Sequence, residues 1–221
     1  MKKVIIFGAE SAFFYFSDFN FKNSLDGSLK MLCDSFSLSL ILKITKVPHK
    51  RLTGPDYMDH LLKLYKNKKI MIIGGCKKAH ENIRKKYELK NTFFYDGYVN
   101  EKNLNSILLE KVYDFSPKII FVCLGIKKQE YVANIIWKNC RNDKNLNDTI
   151  IVGTGAAVDF LGNTKIRSSL IWRKIGLEWF PRLLREPRIG PRLLRSLFGC
   201  FIILFKYKEL SKNKLIFAKK F

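Results

Sequence analysis

The sequence predicts an α/β fold, a Rossmann-like parallel sheet with helices on both faces, extended by a basic helical C-terminal appendage. Three observations carry this reading. Four short β-branched runs each end in glycine and give way to a helical pattern, the βα rhythm of a doubly wound sheet. That rhythm stops near Lys165. Beyond it, arginines thread through an apolar background: residues 165–221 hold 15 Lys and Arg against three Glu and no Asp, about +12 of the formal net charge of +22. The chain is therefore divided into a Rossmann-like α/β body, 1–165, and an arginine-rich amphipathic appendage, 166–221.

The first strand is expected over residues 4–7, ahead of Gly8. The second spans 69–73 and runs into Gly74-Gly75. The third spans 118–124 before Gly125, and the fourth spans 149–152 before Gly153-Thr154-Gly155. Helical patterns cover 56–67, 77–87, 103–115 and 129–139, and 142–148 reads as a polar surface loop. In such sheets ligands bind at the carboxyl ends of the strands. Gly74, Gly75, Gly153 and Gly155 then fall on the ligand-facing edge, where glycine lets backbone N–H groups approach an anion. There is no GxGxxG or Walker A pattern, and the 153–155 turn serves equally well as a tight strand-to-helix connection.

In the appendage, Pro181, Pro187 and Pro191 break the pattern into two or three short helices. Arg182 and Arg185 share one face, as do Arg192 and Arg195. Together with Arg167 and Arg188 they offer planar donor forks that match phosphate oxygens. Phe198, Phe201, Ile202, Ile203 and Phe205 lie among them. A partner carrying both phosphate and hydrocarbon fits this mixture: an anionic membrane surface or a lipid-linked diphosphate. The apolar face can also mediate homo-oligomer formation. Nucleic acid would explain the charge but not these apolar residues, and is set aside as a partner. No run reaches the roughly 20 apolar residues of a spanning helix. The start of the chain, interrupted by Glu10, does not read as a signal peptide. Five separated cysteines without a CxxC pair read as small buried hydrophobes in a reducing cytosol, and three histidines show no ligand spacing, so no metal site is expected.

Several polar residues sit where chemistry is done, each with a structural alternative. Asp34 follows a hydrophobic approach and is either a general base at a strand end or a helix N-cap. In Arg51-Leu52-Thr53-Gly54-Pro55-Asp56, Arg51 can neutralise a diphosphate leaving group, while Thr53 or Asp56 can cap the helix that begins there. Gln129 and Glu130 place an amide and an acid at another strand end, or simply cap a helix. Asp159 is either paired in the interior or faces the site.

Taken in order, these segments resemble the WecG/TagA/CpsF family of bacterial glycosyltransferases. The matching pieces are Arg51-Leu52-Thr53-Gly54-Pro55-Asp56, Ile72-Ile73-Gly74-Gly75, Tyr95-Asp96-Gly97-Tyr98, Gly125-Ile126-Lys127-Lys128-Gln129-Glu130, and the run from Gly153 to Gly162. The last is Gly176-Leu177-Glu178-Trp179-Phe180-Pro181-Arg182-Leu183-Leu184-Arg185-Glu186-Pro187-Arg188. The resemblance covers roughly residues 29 to 208. It implies a metal-independent, inverting enzyme without a cofactor. Such an enzyme moves a hexosamine- or hexose-type sugar from a UDP-sugar to a polyprenyl-diphosphate-linked sugar. It would work peripherally on the cytoplasmic face of the bacterial membrane, in teichoic-acid, capsule, exopolysaccharide or O-antigen synthesis. It further implies that Asp34 is the base, that Arg51 and Thr53 belong to a substrate-contacting segment, and that Tyr98 and Gln129 lie near the nucleotide-sugar. Arg182, Arg185, Arg188 and Arg192 would grip diphosphate or lipid head groups. The family pattern at the base is Asp-Gly, where this chain has Asp34-Ser35, and Pro181 replaces a more usual aromatic. A catalytically weak or inactive homologue acting as a scaffold is the alternative that the Asp34-Ser35 departure supports.

Overall fold

The computed structural model describes residues 1–96 and 101–212. Six strands form one all-parallel sheet: β1 (Lys2–Phe7), β2 (Ser28–Cys33), β3 (Ile70–Ile73), β4 (Thr92–Tyr95), β5 (Ile119–Val122) and β6 (Ile150–Gly153). Their order is β2-β1-β6-β5-β3-β4. Ile70 pairs with Ile119 and Ile119 with Ile150, so the apolar runs sit in register. β3 and β5 are buried along their whole length, as expected of strands covered on both faces. The α/β class expected from the glycine-ended runs is the class found.

The helices are α1 (Ala9–Ser17), α2 (Phe19–Ser24), α3 (Phe36–Ile44), α4 (Gly54–Tyr65), α5 (Lys77–Tyr87), α6 (Glu101–Phe115), α7 (Lys128–Cys140), α8 (Ala157–Leu161), α9 (Leu170–Lys174), α10 (Trp179–Arg185) and α11 (Gly190–Lys212), with a 3-10 turn at Pro187–Ile189. β2, β4, α1 to α3 and α8 have no counterpart among the four predicted strands and four predicted helices. α1 reads AESAFFYFS, too uniformly apolar for a helical stripe to stand out. β4 is only four residues long and half-buried throughout. The appendage also differs from the expected set of two or three short helices. Pro191 sits in the first turn of α11, where its missing N–H costs nothing, and the helix continues for 23 residues.

Residue contacts divide the chain into two compact units, and the division runs through β1 and β2. The first holds Met1–Ile5, Ser24–Leu29 and Gly54–Lys165. Its core interleaves Met71, Ile73, Ile120 and Val122 from the sheet with Val112 and Ile136 from α6 and α7. Lys3 is fully buried there. Its ammonium donates to Ser24 O at 2.9 Å, to Asn134 Oδ1 at 2.8 Å and to Asp26 O, and lies over the Trp137 ring. These partners satisfy a group that would otherwise be costly to bury.

The second unit holds Ile6–Asn23, Lys30–Thr53 and Ile166–Phe221. Within it α11 packs against α1. A Cβ at Gly199 would lie 2.0 Å from the Ala9 carbonyl oxygen, so the two backbones meet where only glycine fits. The buried carboxylate of Glu10 accepts from Arg192 Nε and from Arg195 Nε, each at 2.9 Å. Gly199→Leu is expected to pry α11 from α1 and cost about 3 kcal/mol, the upper range for overpacking a close contact. Urea denaturation would read this as a lower midpoint at unchanged slope, and an unchanged midpoint would contradict the packing.

Candidate functional site

In the first unit, the carboxyl ends of β3, β5 and β6 carry the predicted glycine turns. Gly74 and Gly75 have φ of 96° and 88°. A Cβ at Gly74 would lie 2.4 Å from the Cys123 carbonyl oxygen, and one at Gly75 would lie 2.7 Å from Val158 Cγ1. Both positions therefore need glycine for conformation and for space. Gly155, at φ 57°, gives its N–H to Gln129 Oε1 at 2.8 Å. Gln129 in turn donates through Nε2 to Glu130 Oε1 at 2.7 Å, and Glu130 Oε2 accepts the Lys127 N–H at 2.8 Å. One buried carboxylate thus fixes Gln129, and through it the turn after β6. It also closes the capping box at the start of α7. Lys127 is held at φ 71° and ψ −54° by this arrangement, a conformation that persists only where neighbours impose it.

Of the alternatives for Gln129 and Glu130, the helix cap is the one the hydrogen bonds show. Glu130 is completely buried and starts the helix, whereas Gln129 bridges α7 to the Gly153 to Gly155 turn. Glu130→Gln would place an amide donor where two N–H groups already point. On the nucleotide-sugar contact that the resemblance implies for Gln129, it is expected to raise the KM for that donor about tenfold with little change in kcat. Steady-state kinetics with an unchanged KM would remove Glu130 from that role.

Asp159, in the first turn of α8, pairs with Lys165 at 2.8 Å and keeps only slight exposure. Asp56 is exposed in the first turn of α4. Burial pushes the Cys123 thiol up to about 12, so this strand end presents a neutral thiol, hydrogen-bonding distance from Thr154 Oγ1 at 3.2 Å. Tyr98 lies outside the described residues.

In the second unit, Asp34 directly follows β2, and its N–H donates to Phe7 O at 3.0 Å. The alternative reading made Asp34 a helix cap. The structure gives that task to Ser35, whose Oγ accepts from Leu38 N at 3.3 Å and from Ala9 N at 3.1 Å. The serine that departs from the family's Asp-Gly pattern is thus the residue that caps α3. Its signal was present in the sequence, a serine ahead of the apolar run Phe36–Ile44.

Arg51 forms a parallel bridge with Cys33, and its Nε donates to the Asp34 carbonyl oxygen at 3.1 Å. Its Nη1 reaches the Arg173 carbonyl oxygen at 3.4 Å, and its guanidinium lies 5.8 Å from the Phe36 ring centre. Arg51 therefore ties the backbone of Asp34 to the last turn of α9. Beside it, the Cys33 thiol is pushed up to about 12, first by burial and then by the Asp34 charge. Thr53 is buried and accepts from Arg167 Nη2 at 2.8 Å. Arg167 also pairs with Glu178, whose carbonyl oxygen accepts from Ser168 Oγ at 2.8 Å. Glu178 was seen in the sequence only as part of a motif, because its partners are ten or more residues away.

The remaining arginines of the predicted set differ in their surroundings. Arg192 and Arg195 are engaged by Glu10. Arg185 and Arg188 are exposed, with no ion pair among the described residues. Arg182 is half-buried in α10.

The sequence model of the glycosyl transferase WecG/TagA/CpsF family matches residues 2–214. Among characterised proteins, the chain is 27% identical over 177 residues to the N-acetylglucosaminyldiphosphoundecaprenol N-acetyl-beta-D-mannosaminyltransferase of Staphylococcus aureus (strain MW2). That match covers 76% of this chain and 64% of the relative, so the chain spans less than two thirds of the relative's length.

Proposed function

The chain belongs to the glycosyl transferase WecG/TagA/CpsF family, and from that premise we propose that it is an inverting, metal-independent glycosyltransferase. It would move a hexosamine- or hexose-type sugar from a UDP-sugar to a polyprenyl-diphosphate-linked sugar, for bacterial cell-surface polymer synthesis. The relative's name points to N-acetylglucosamine on the lipid carrier as the acceptor and to N-acetylmannosamine as the first donor sugar to try. The observation that carries this reading is Asp34. It ends a strand at the carboxyl edge, it is relieved of capping by Ser35, and its backbone is held by Arg51.

In the proposed reaction the Asp34 carboxylate takes the proton of the acceptor hydroxyl as that oxygen attacks the anomeric carbon. The bond from that carbon to the UDP β-phosphate oxygen breaks with inversion, and UDP leaves with the bonding pair. The glycine turn after β3, and the turn after β6 that Gln129 and Glu130 order, would hold the nucleotide-sugar. Arg185 and Arg188, the exposed guanidinium groups, are assigned to phosphate charge, where fixed cations can stabilise a leaving diphosphate. Thr53 and Arg167 would shape the substrate segment.

The chain would work as a peripheral protein at the cytoplasmic membrane face. No helix among the described residues is long and apolar enough to cross a membrane. The appendage nevertheless exposes Ile166, Ile171 and Leu184 beside its arginines, a pattern suited to an anionic interface. Isothermal titration with UDP and UDP-N-acetylhexosamines in EDTA tests the donor site. Saturable binding is expected, weakened by Gln129→Ala, and a protein that binds no uridine nucleotide would refute the assignment.

A further inference from the structure

We propose that α3 is a second membrane-contacting element, with Leu40 and Ile44 continuing the apolar face of α11 onto an anionic bilayer. This rests on the membrane-borne acceptor of the proposed function. Both helices belong to the same compact unit and pack against each other, with Ser37 facing the Cys200 thiol at the seam between them. On α3, Leu40 and Ile44 stand three and seven residues after Ser37, on the same side of the helix. They are 49% and 64% exposed. On α11, Leu197 and Leu204 stand three residues before and four after Cys200, and Phe201 and Phe205 lie next around the helix. Leu197, Phe201 and Phe205 are 67%, 61% and 72% exposed. The opposite side of α11, with Gly199 and Ile203 buried, is the side held on α1. The apolar residues of both helices therefore flank one seam and face away from the packed side. A contiguous patch of this kind marks an interaction surface rather than ordinary scatter.

Charge selects the partner. Lys43 and Lys46 are exposed on and just after α3, and Lys206 stands by Phe16 on α11. Neither α3 nor residues 190–206 of α11 contains an acidic side chain, and Glu10, on the helix that α11 packs against, is paired with Arg192 and Arg195. Apolar side chains ringed by unopposed lysines suit lipid tails below anionic headgroups.

The test is co-sedimentation of the full chain with vesicles of phosphatidylglycerol and phosphatidylcholine, comparing wild type with Leu40→Gln/Ile44→Gln, which leaves the charge unchanged. The double variant is expected to partition about tenfold more weakly, since two exposed apolar side chains leave the interface. Its circular dichroism and melting should match wild type, because both sites are at the surface. In a Cys76→Ser background, an environment-sensitive dye on Leu40→Cys should shift to the blue with vesicles. Unchanged partitioning, or a dye that ignores vesicles, would overturn the inference. So would light scattering that shows wild-type dimers dissociated by the double variant at unchanged vesicle binding, which would assign the patch to a second copy of this chain. Wild-type protein that fails to sediment would also overturn it, while UDP release with a water-soluble short-chain acceptor would leave the proposed reaction standing.

Discussion

Asp34→Asn is expected to lower kcat by about 10²–10⁴-fold, the usual loss when a positioned general base is removed. Donor affinity should stay close to wild type. Asparagine matches aspartate in size but cannot take up the hydroxyl proton. The cap of α3 is Ser35 Oγ rather than Asp34, so the helix start is expected to survive the substitution, and circular dichroism checks that the variant is folded before its rate is read. A folded variant that turns over at the wild-type rate would show that Asp34 is not the base.

The second large effect is expected at Arg51. Arg51→Ala removes the donor to the Asp34 carbonyl oxygen, the donor to the Arg173 carbonyl oxygen and the cation above Phe36. A shift of about 1 Å in a reacting group can cost on the order of 10² in rate, and a loss of that size in kcat is expected. Arg51→Lys should recover little, because an ammonium cannot reproduce two donors set at a fixed angle. If Arg51 acted only as a point charge on a phosphate, lysine would restore most of the rate. Full activity in Arg51→Lys would thus contradict the positioning role.

Four of the six strands were legible because they are short, β-branched and followed by glycine, and after β3 the conformation and crowding at Gly74 and Gly75 demand that residue. The candidate base was legible as a carboxylate after the apolar stretch that proves to be β2. What sequence spacing did not disclose lies in long-range pairing. Glu10 binds arginines more than 180 positions away, and Thr53 meets Arg167 across 114. No local pattern distinguishes those arginines from Arg185 and Arg188, although the two pairs have different surroundings. Pro191 misled for a related reason: proline breaks a helix interior but is accommodated in a first turn, and only the observed start of α11 decides which applies.

The measurement that bears most directly on the whole account is acceptor-dependent UDP release by the purified chain in EDTA. UDP-N-acetylmannosamine would be supplied beside other UDP-sugars, with a short-chain prenyl-diphosphate N-acetylglucosamine as acceptor. The account predicts release with one donor that requires the acceptor, persists without divalent metal and disappears in Asp34→Asn. A folded protein that binds UDP-sugars yet releases no UDP with any donor, or releases it only when a divalent metal is restored, would contradict it.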